Sequence, residues 1–203
     1  MISERLKRRL NEISRHPITT VIAPMGFGKT TALSWWAKHQ VKSHTGTLIL
    51  RQMIVTDSVT DFWSGFCRTI KGYPELAEQM KALGYPKDAG AISVLSELLN
   101  DALADSSKQT YFILDDLHIL RQKSLAPLLL FLSHSLPDRV HIVLLSRNQI
   151  FTAEERMRLG NSLCELGADA LRLDRQELAV YARRCQLMVS AAELGVLATL
   201  SEG

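Results

Sequence analysis

Residues 23–30 read Ala-Pro-Met-Gly-Phe-Gly-Lys-Thr, and their types suit phosphate binding. Gly28 stands where the backbone must pass close to an anion. Lys29 can pair with terminal phosphates, and Thr30 can offer its hydroxyl to magnesium. The helix that opens here, through Thr31, points its positive end at the same place. The general pattern GxxxxGK[ST] begins with glycine, whereas this chain has Ala23. That position only begins the turn, and a methyl group fits there if φ is negative. Ala23, Pro24, Met25, Gly26, Phe27, Gly28, Lys29, Thr30 and Thr31 are therefore the candidate nucleotide-binding residues, with ATP or ADP and Mg²⁺ as ligands.

A second motif, YFILDDLH, occupies residues 111–118. A hydrophobic strand that ends in an acid is the usual partner of such a loop. Asp115 is placed to anchor hydrated Mg²⁺, and Asp116 to act as the base that orients or deprotonates a water. Two adjacent buried carboxylates would repel each other without a cation, so an acid pair at a strand end suggests a metal ion. His118 is positioned either to orient Asp116 or to pack in the loop; spacing alone favours neither. A third motif, LLSRN at 144–148, offers Ser146 and Arg147 as readers of a γ-phosphate.

These residues need elements to hold them. Apolar, β-branched runs at 18–23, 46–55, 110–116 and 139–148 read as strands, with 168–173 as a short fifth candidate. Helices are expected over 3–15, 28–41, 56–70, 91–104, 123–135 and 152–160. Two more are expected from Asp174, whose pairing with Glu177 suggests a capping box, and from about Ser190 to the end. Residues 72–90 carry three glycines and two prolines and read as a loop with a helical turn or more around 75–83. Alternating apolar strands and helices imply an α/β fold with a parallel sheet covered on both faces. Ligands in such sheets bind at the carboxyl ends of the strands, where the loop, the acid pair and Ser146–Arg147 all fall. Trp35 and Trp36, on the helix after the loop, read as packing residues rather than a base-stacking platform.

The net charge of +3 is too small to argue for nucleic acid by itself. The basic cluster Arg5, Lys7, Arg8 and Arg9 interleaves with Leu6, Leu10 and Ile13, as on a solvated helix face. Cys67, Cys164 and Cys185 show no metal or disulfide spacing and read as reduced thiols. The chain carries no apolar run of the roughly 20 residues a membrane span needs, and its polar start is not a signal peptide. A cytoplasmic location and no membrane partner are the expectations.

Together APMGFGKTT, ILDDLH, LLSRN and the segment from Ala170 to Gly203 resemble the N-terminal ATPase module of MalT-like, LuxR-type bacterial transcriptional regulators. These belong to the STAND class of signal-transduction ATPases. The group's loop commonly reads APxG[FY]GKTT, so the alanine is similar to the family's own variant. Phe62-Trp63 after the second strand also resembles it. The resemblance implies a P-loop NTPase domain over 1–173 and the start of a helical or winged-helix subdomain over 174–203, truncated. It further implies a slow ATPase switch in which ATP-Mg²⁺ controls self-association, with DNA bound only through a C-terminal helix-turn-helix outside this chain. Two other classes compete with it. One is a catalytic P-loop enzyme, such as a small-molecule kinase or a helicase-loader-like motor; a kinase would need an acceptor pocket and often a basic lid, for which the 72–90 loop is the only candidate and carries just Lys81 and Lys87. A non-hydrolysing nucleotide-binding interaction module sits badly with intact Lys29, Thr30, Asp115 and Asp116.

Overall fold

The computed structural model describes residues 2–70, 72–103, 108–120 and 125–200. Helix α1 (Glu4–Asn11) starts where the Ser3 side chain accepts the Leu6 N–H at 3.1 Å, and it runs into a 3₁₀ turn at Glu12–Arg15. Strand β1 (Ile18–Ile22) leads through the glycine loop into α2 (Lys29–Ser43). Strand β2 (Leu48–Met53) is followed by α3 (Val59–Thr69), α4 (Pro74–Leu83) and α5 (Ala89–Leu103). Strand β3 (Thr110–Asp115), α6 (Leu125–Ser135), β4 (Val140–Ser146) and α7 (Ala153–Leu159) come next. Strand β5 (Leu163–Leu166), α8 (Ala168–Leu171), α9 (Arg175–Arg184) and α10 (Ala191–Leu200) complete the order. Residues 104, 123, 124 and 201–203 of the expected helices lie outside the described residues.

All five strands are parallel, in the order β2-β3-β4-β1-β5. Side chains alternate between two cores, as the period of a strand requires. On one face Tyr111, Ile113, Val143 and Leu145 pack with Leu6, Leu10, Leu33 and Trp36 from α1 and α2. On the other, Phe112, Leu114, Ile142 and Leu144 meet side chains from α3 to α7, including Trp63, Met80, Leu95 and Leu129. The sheet is thus buried on both sides, which explains why β3 and β4 read as continuous apolar runs. Trp36 is fully buried against Tyr111 (ring centroids 4.9 Å), a packing role as expected.

One expectation changes and another is filled out. Residues 168–173 do not form the fifth strand; Ala168–Leu171 is a helical turn, and the strand is Leu163–Leu166. The segment Ala-Asp-Ala-Leu sets three good helix formers and a first-turn aspartate after a glycine, while Leu163–Leu166 extends the sheet beside β1. The helical turn or more expected around 75–83 is a full helix, Pro74–Leu83. Pro74 sits at its first position, and Gly84, with φ +70, follows its last. The residues that looked like loop signals are the helix's two ends.

His141 on β4 is buried and stacks on Tyr111. Its Nδ1 donates to the His16 carbonyl at 2.9 Å, and its Nε2 is buried with no hydrogen-bond partner among the described residues. Burial pushes its pKa below the ordinary 6.5, with the His16 carbonyl opposing. An unfolded chain therefore takes up a proton before the folded one does. Stability is complete above the unfolded value and falls as pH drops through it. Melting temperature should fall from about pH 7.5 to about pH 5.5, and His141→Phe should reduce that fall.

Candidate phosphate-binding site

The glycine loop joins β1 to α2 at the carboxyl edge of the sheet. Ala23 is buried in the core beneath α2, and its N–H donates to the Ser146 carbonyl at 3.3 Å. Its φ is not positive, so the alanine at the loop's entry costs no backbone strain, and its methyl group is packed. Gly26 (φ +94) and Gly28 (φ +72) do sit in the left-handed region, which glycine favours. Space beside both is open, so the requirement is for backbone conformation and not for room. Pro24 and Met25 are exposed on the crest, and Phe27 is half-buried.

Helix α2 makes its first backbone bond from Ala32 N–H to Gly28 O, at 2.8 Å. The N–H groups of Lys29, Thr30 and Thr31 are thus the ones that a helix start leaves without a helical acceptor. No acidic residue lies in that first turn to neutralise the positive end. Lys29 is nearly buried, at 9% exposure, and its Nζ donates to the carbonyls of Ala23 (2.6 Å) and Pro24 (2.9 Å). Burial pushes its pKa down, Arg147 pushes it further, and Asp116 and Asp115 oppose. Lys29 and Arg147 therefore place two cations within electrostatic reach of each other at the mouth of the loop, an arrangement that an anion stabilises.

Across the loop, the Thr30 hydroxyl donates to the Asp115 carboxylate, at 3.1 Å to Oδ2 and 3.3 Å to Oδ1. Asp115 ends β3 and is fully buried. By giving its proton to the carboxylate, Thr30 keeps its oxygen lone pairs available, so the donor set suits a hard divalent cation. Asp115 also accepts the Asp116 N–H at 3.0 Å and the Arg51 Nη2 at 2.5 Å. The two acids are not buried alike. Asp116 is partly exposed, at 34% of its side chain, and the cation beside Asp115 is Arg51. Arg51 was not among the sequence candidates. Its only signal is a charge inside the apolar run of β2.

Asp116 has left-handed backbone (φ 59, ψ 37), which turns its side chain away from the strand direction. His118 Nδ1 lies 3.8 Å from Asp116 Oδ1, beyond hydrogen-bond reach. The His118 pKa is lowered, first by burial and then by Arg147. Ser146 is buried at the end of β4. Its hydroxyl donates to the Asn148 carbonyl (2.7 Å) and accepts the Asn148 N–H (3.2 Å), closing the turn that presents exposed Arg147. The three motifs thus meet around one loop mouth.

No protein-family profile matches the chain. Among solved structures, Cdc6p of Pyrobaculum aerophilum is similar over 98% of this chain and 56% of that one, with 14% identity and a TM-score of 0.54. A DNA replication initiation factor aligns over 98% of this chain and 55% of that one, with 14% identity and a TM-score of 0.48. The chain spans little more than half the length of either. Among the described residues no helix is long and apolar enough to cross a membrane. The strand order, the loop between β1 and α2 and the Cdc6p likeness together identify an α/β P-loop NTPase fold, a five-stranded parallel sheet flanked by helices.

Proposed function

We propose that this chain is the ATP-binding switch module of a STAND-type, MalT-like (LuxR-type) transcriptional regulator, turning ATP over slowly. One observation carries the nucleotide reading: nearly buried Lys29 inside a loop with two left-handed glycines, beside a Thr30 hydroxyl bonded to the terminal acid of β3. The regulator assignment adds the resemblance of APMGFGKTT, ILDDLH and LLSRN to that family.

In this reading the N–H groups of residues 26–31 bind the phosphate oxygens and Lys29 pairs with the β- and γ-phosphates. Lys29 is pre-ordered by the Ala23 and Pro24 carbonyls. Thr30 and Asp115 would hold Mg²⁺, which would supply charge neutralisation at the phosphates. Asp116, partly open to solvent, receives the proton of the attacking water. Arg147, on the turn that Ser146 closes, faces the γ-phosphate that ADP lacks and gives the two nucleotides different contacts. Residues 174–203 begin a helical or winged-helix subdomain, and DNA is bound by a helix-turn-helix elsewhere in a longer cytoplasmic protein.

The test compares ATP and ADP. Calorimetric binding of both, with light scattering to follow self-association, should show ATP, and not ADP, favouring the associated form. Equal association with either nucleotide would sink the switch, and transfer of phosphate to an acceptor would favour a kinase.

A further inference from the structure

Arg51 sits in the middle of β2, among Leu48, Ile49 and Leu50, on a strand at the edge of the sheet. Its guanidinium reaches inward. Nη2 donates to Asp115 Oδ2 at 2.5 Å, and Nη1 donates to the Ser34 hydroxyl at 2.9 Å, one helical turn beyond Thr30. The Asp115 carboxylate therefore already holds a cation, the Thr30 hydroxyl and the Asp116 N–H.

We propose that Arg51 is a built-in counter-ion for Asp115 that weakens the site's hold on a divalent cation and so loosens nucleotide binding from magnesium. The proposal rests on the nucleotide reading above. A carboxylate whose charge is compensated at 2.5 Å attracts a second cation less strongly, and a buried setting screens little of that effect. A guanidinium cannot relieve the competition by losing its proton. Asp115 is about 1% exposed, so bulk water does little of the neutralising. Arg51, by contrast, is one-third exposed and lines a groove of about 420 Å³ between β2 and α2. It thus has somewhere to swing when a metal draws Asp115 away. The position is set by the strand's register: Arg51 stands level with Ile113, two residues before Asp115 on the neighbouring strand.

The experiment measures the dissociation constant of a fluorescent ATP analogue in chelator and with Mg²⁺, and takes the ratio of the chelator value to the Mg²⁺ value. For the wild type the ratio should stay within about threefold, while Arg51→Met should raise it about tenfold or more. Arg51→Lys keeps the charge and should stay near the wild-type ratio. Manganese binding without nucleotide, read by electron paramagnetic resonance, should tighten in Arg51→Met. An unchanged or lower ratio in Arg51→Met would show that Arg51 only orients Asp115 and would overturn the proposal. If Arg51→Met melts below the assay temperature, Arg51→Gln carries the test, because it can still donate to Asp115 without a charge. Lys29→Ala in the same titration separates the two failures. Wild-type affinity in Lys29→Ala would remove the nucleotide site itself, whereas lost affinity there with an unmoved ratio in Arg51→Met would remove only the counter-ion.

Discussion

Lys29→Ala should lower ATP affinity by about a hundredfold or more, read by titration of a fluorescent nucleotide. The side chain is the nearly buried cation of the loop, and its ammonium is aimed by two carbonyls only six and five residues earlier. A charged hydrogen bond to phosphate is worth roughly 1.5–3 kcal/mol, and one lysine can serve two phosphate groups. Truncation also removes a buried partner from the Ala23 carbonyl and a part-buried one from the Pro24 carbonyl. Melting temperature without nucleotide should therefore fall by a few degrees at most, while nucleotide-induced stabilisation disappears. Unchanged affinity in a folded Lys29→Ala protein would overturn the assignment of the loop.

Asp116→Asn should leave ATP affinity within about threefold and lower turnover by about a hundredfold or more, measured as phosphate release. The substitution is well matched to its site. Asp116 holds a left-handed backbone, a conformation that asparagine tolerates at least as well as aspartate. The shape and the N–H bond to Asp115 remain, and only the proton acceptor is removed. Loss of binding together with turnover would instead place Asp116 in the binding set. Turnover at the wild-type level would leave the base to another group.

Much of this site is readable from residue order. Strands β1, β3 and β4 announce themselves as apolar runs because both faces of the covered sheet are dry there, and the glycine loop follows the first of them. The capping boxes at Thr152 and at Asp174 mark two helix starts through local side-chain bonds that depend on nothing distant. What stayed hidden depends on distant partners or on backbone direction. Strand β5 is four residues long with a glutamate inside it, and only its pairing with β1 makes it a strand. The Asp115–Asp116 pair looks symmetrical in sequence. The left-handed turn at Asp116 separates the two acids, giving one a buried ion pair and the other an opening to solvent. Arg51 lies 64 residues from its carboxylate, and no local pattern connects them.

The sheet register also bears on the order in which a ribosome could deliver the protein. Strand β1, which carries the loop, is flanked on both sides by late strands: Ile18 lies level with Ile142 and with Leu163. Strands β2 and β3 can pair earlier, since the chain between them is shorter. Strand β1 must therefore wait for β4 and β5 before its neighbours exist, and contacts between such distant residues form slowly. Until β4 arrives, Ala23 lacks the Ser146 carbonyl that secures the loop's entry. The glycine loop is thus, in time, one of the last parts of this sheet to take shape.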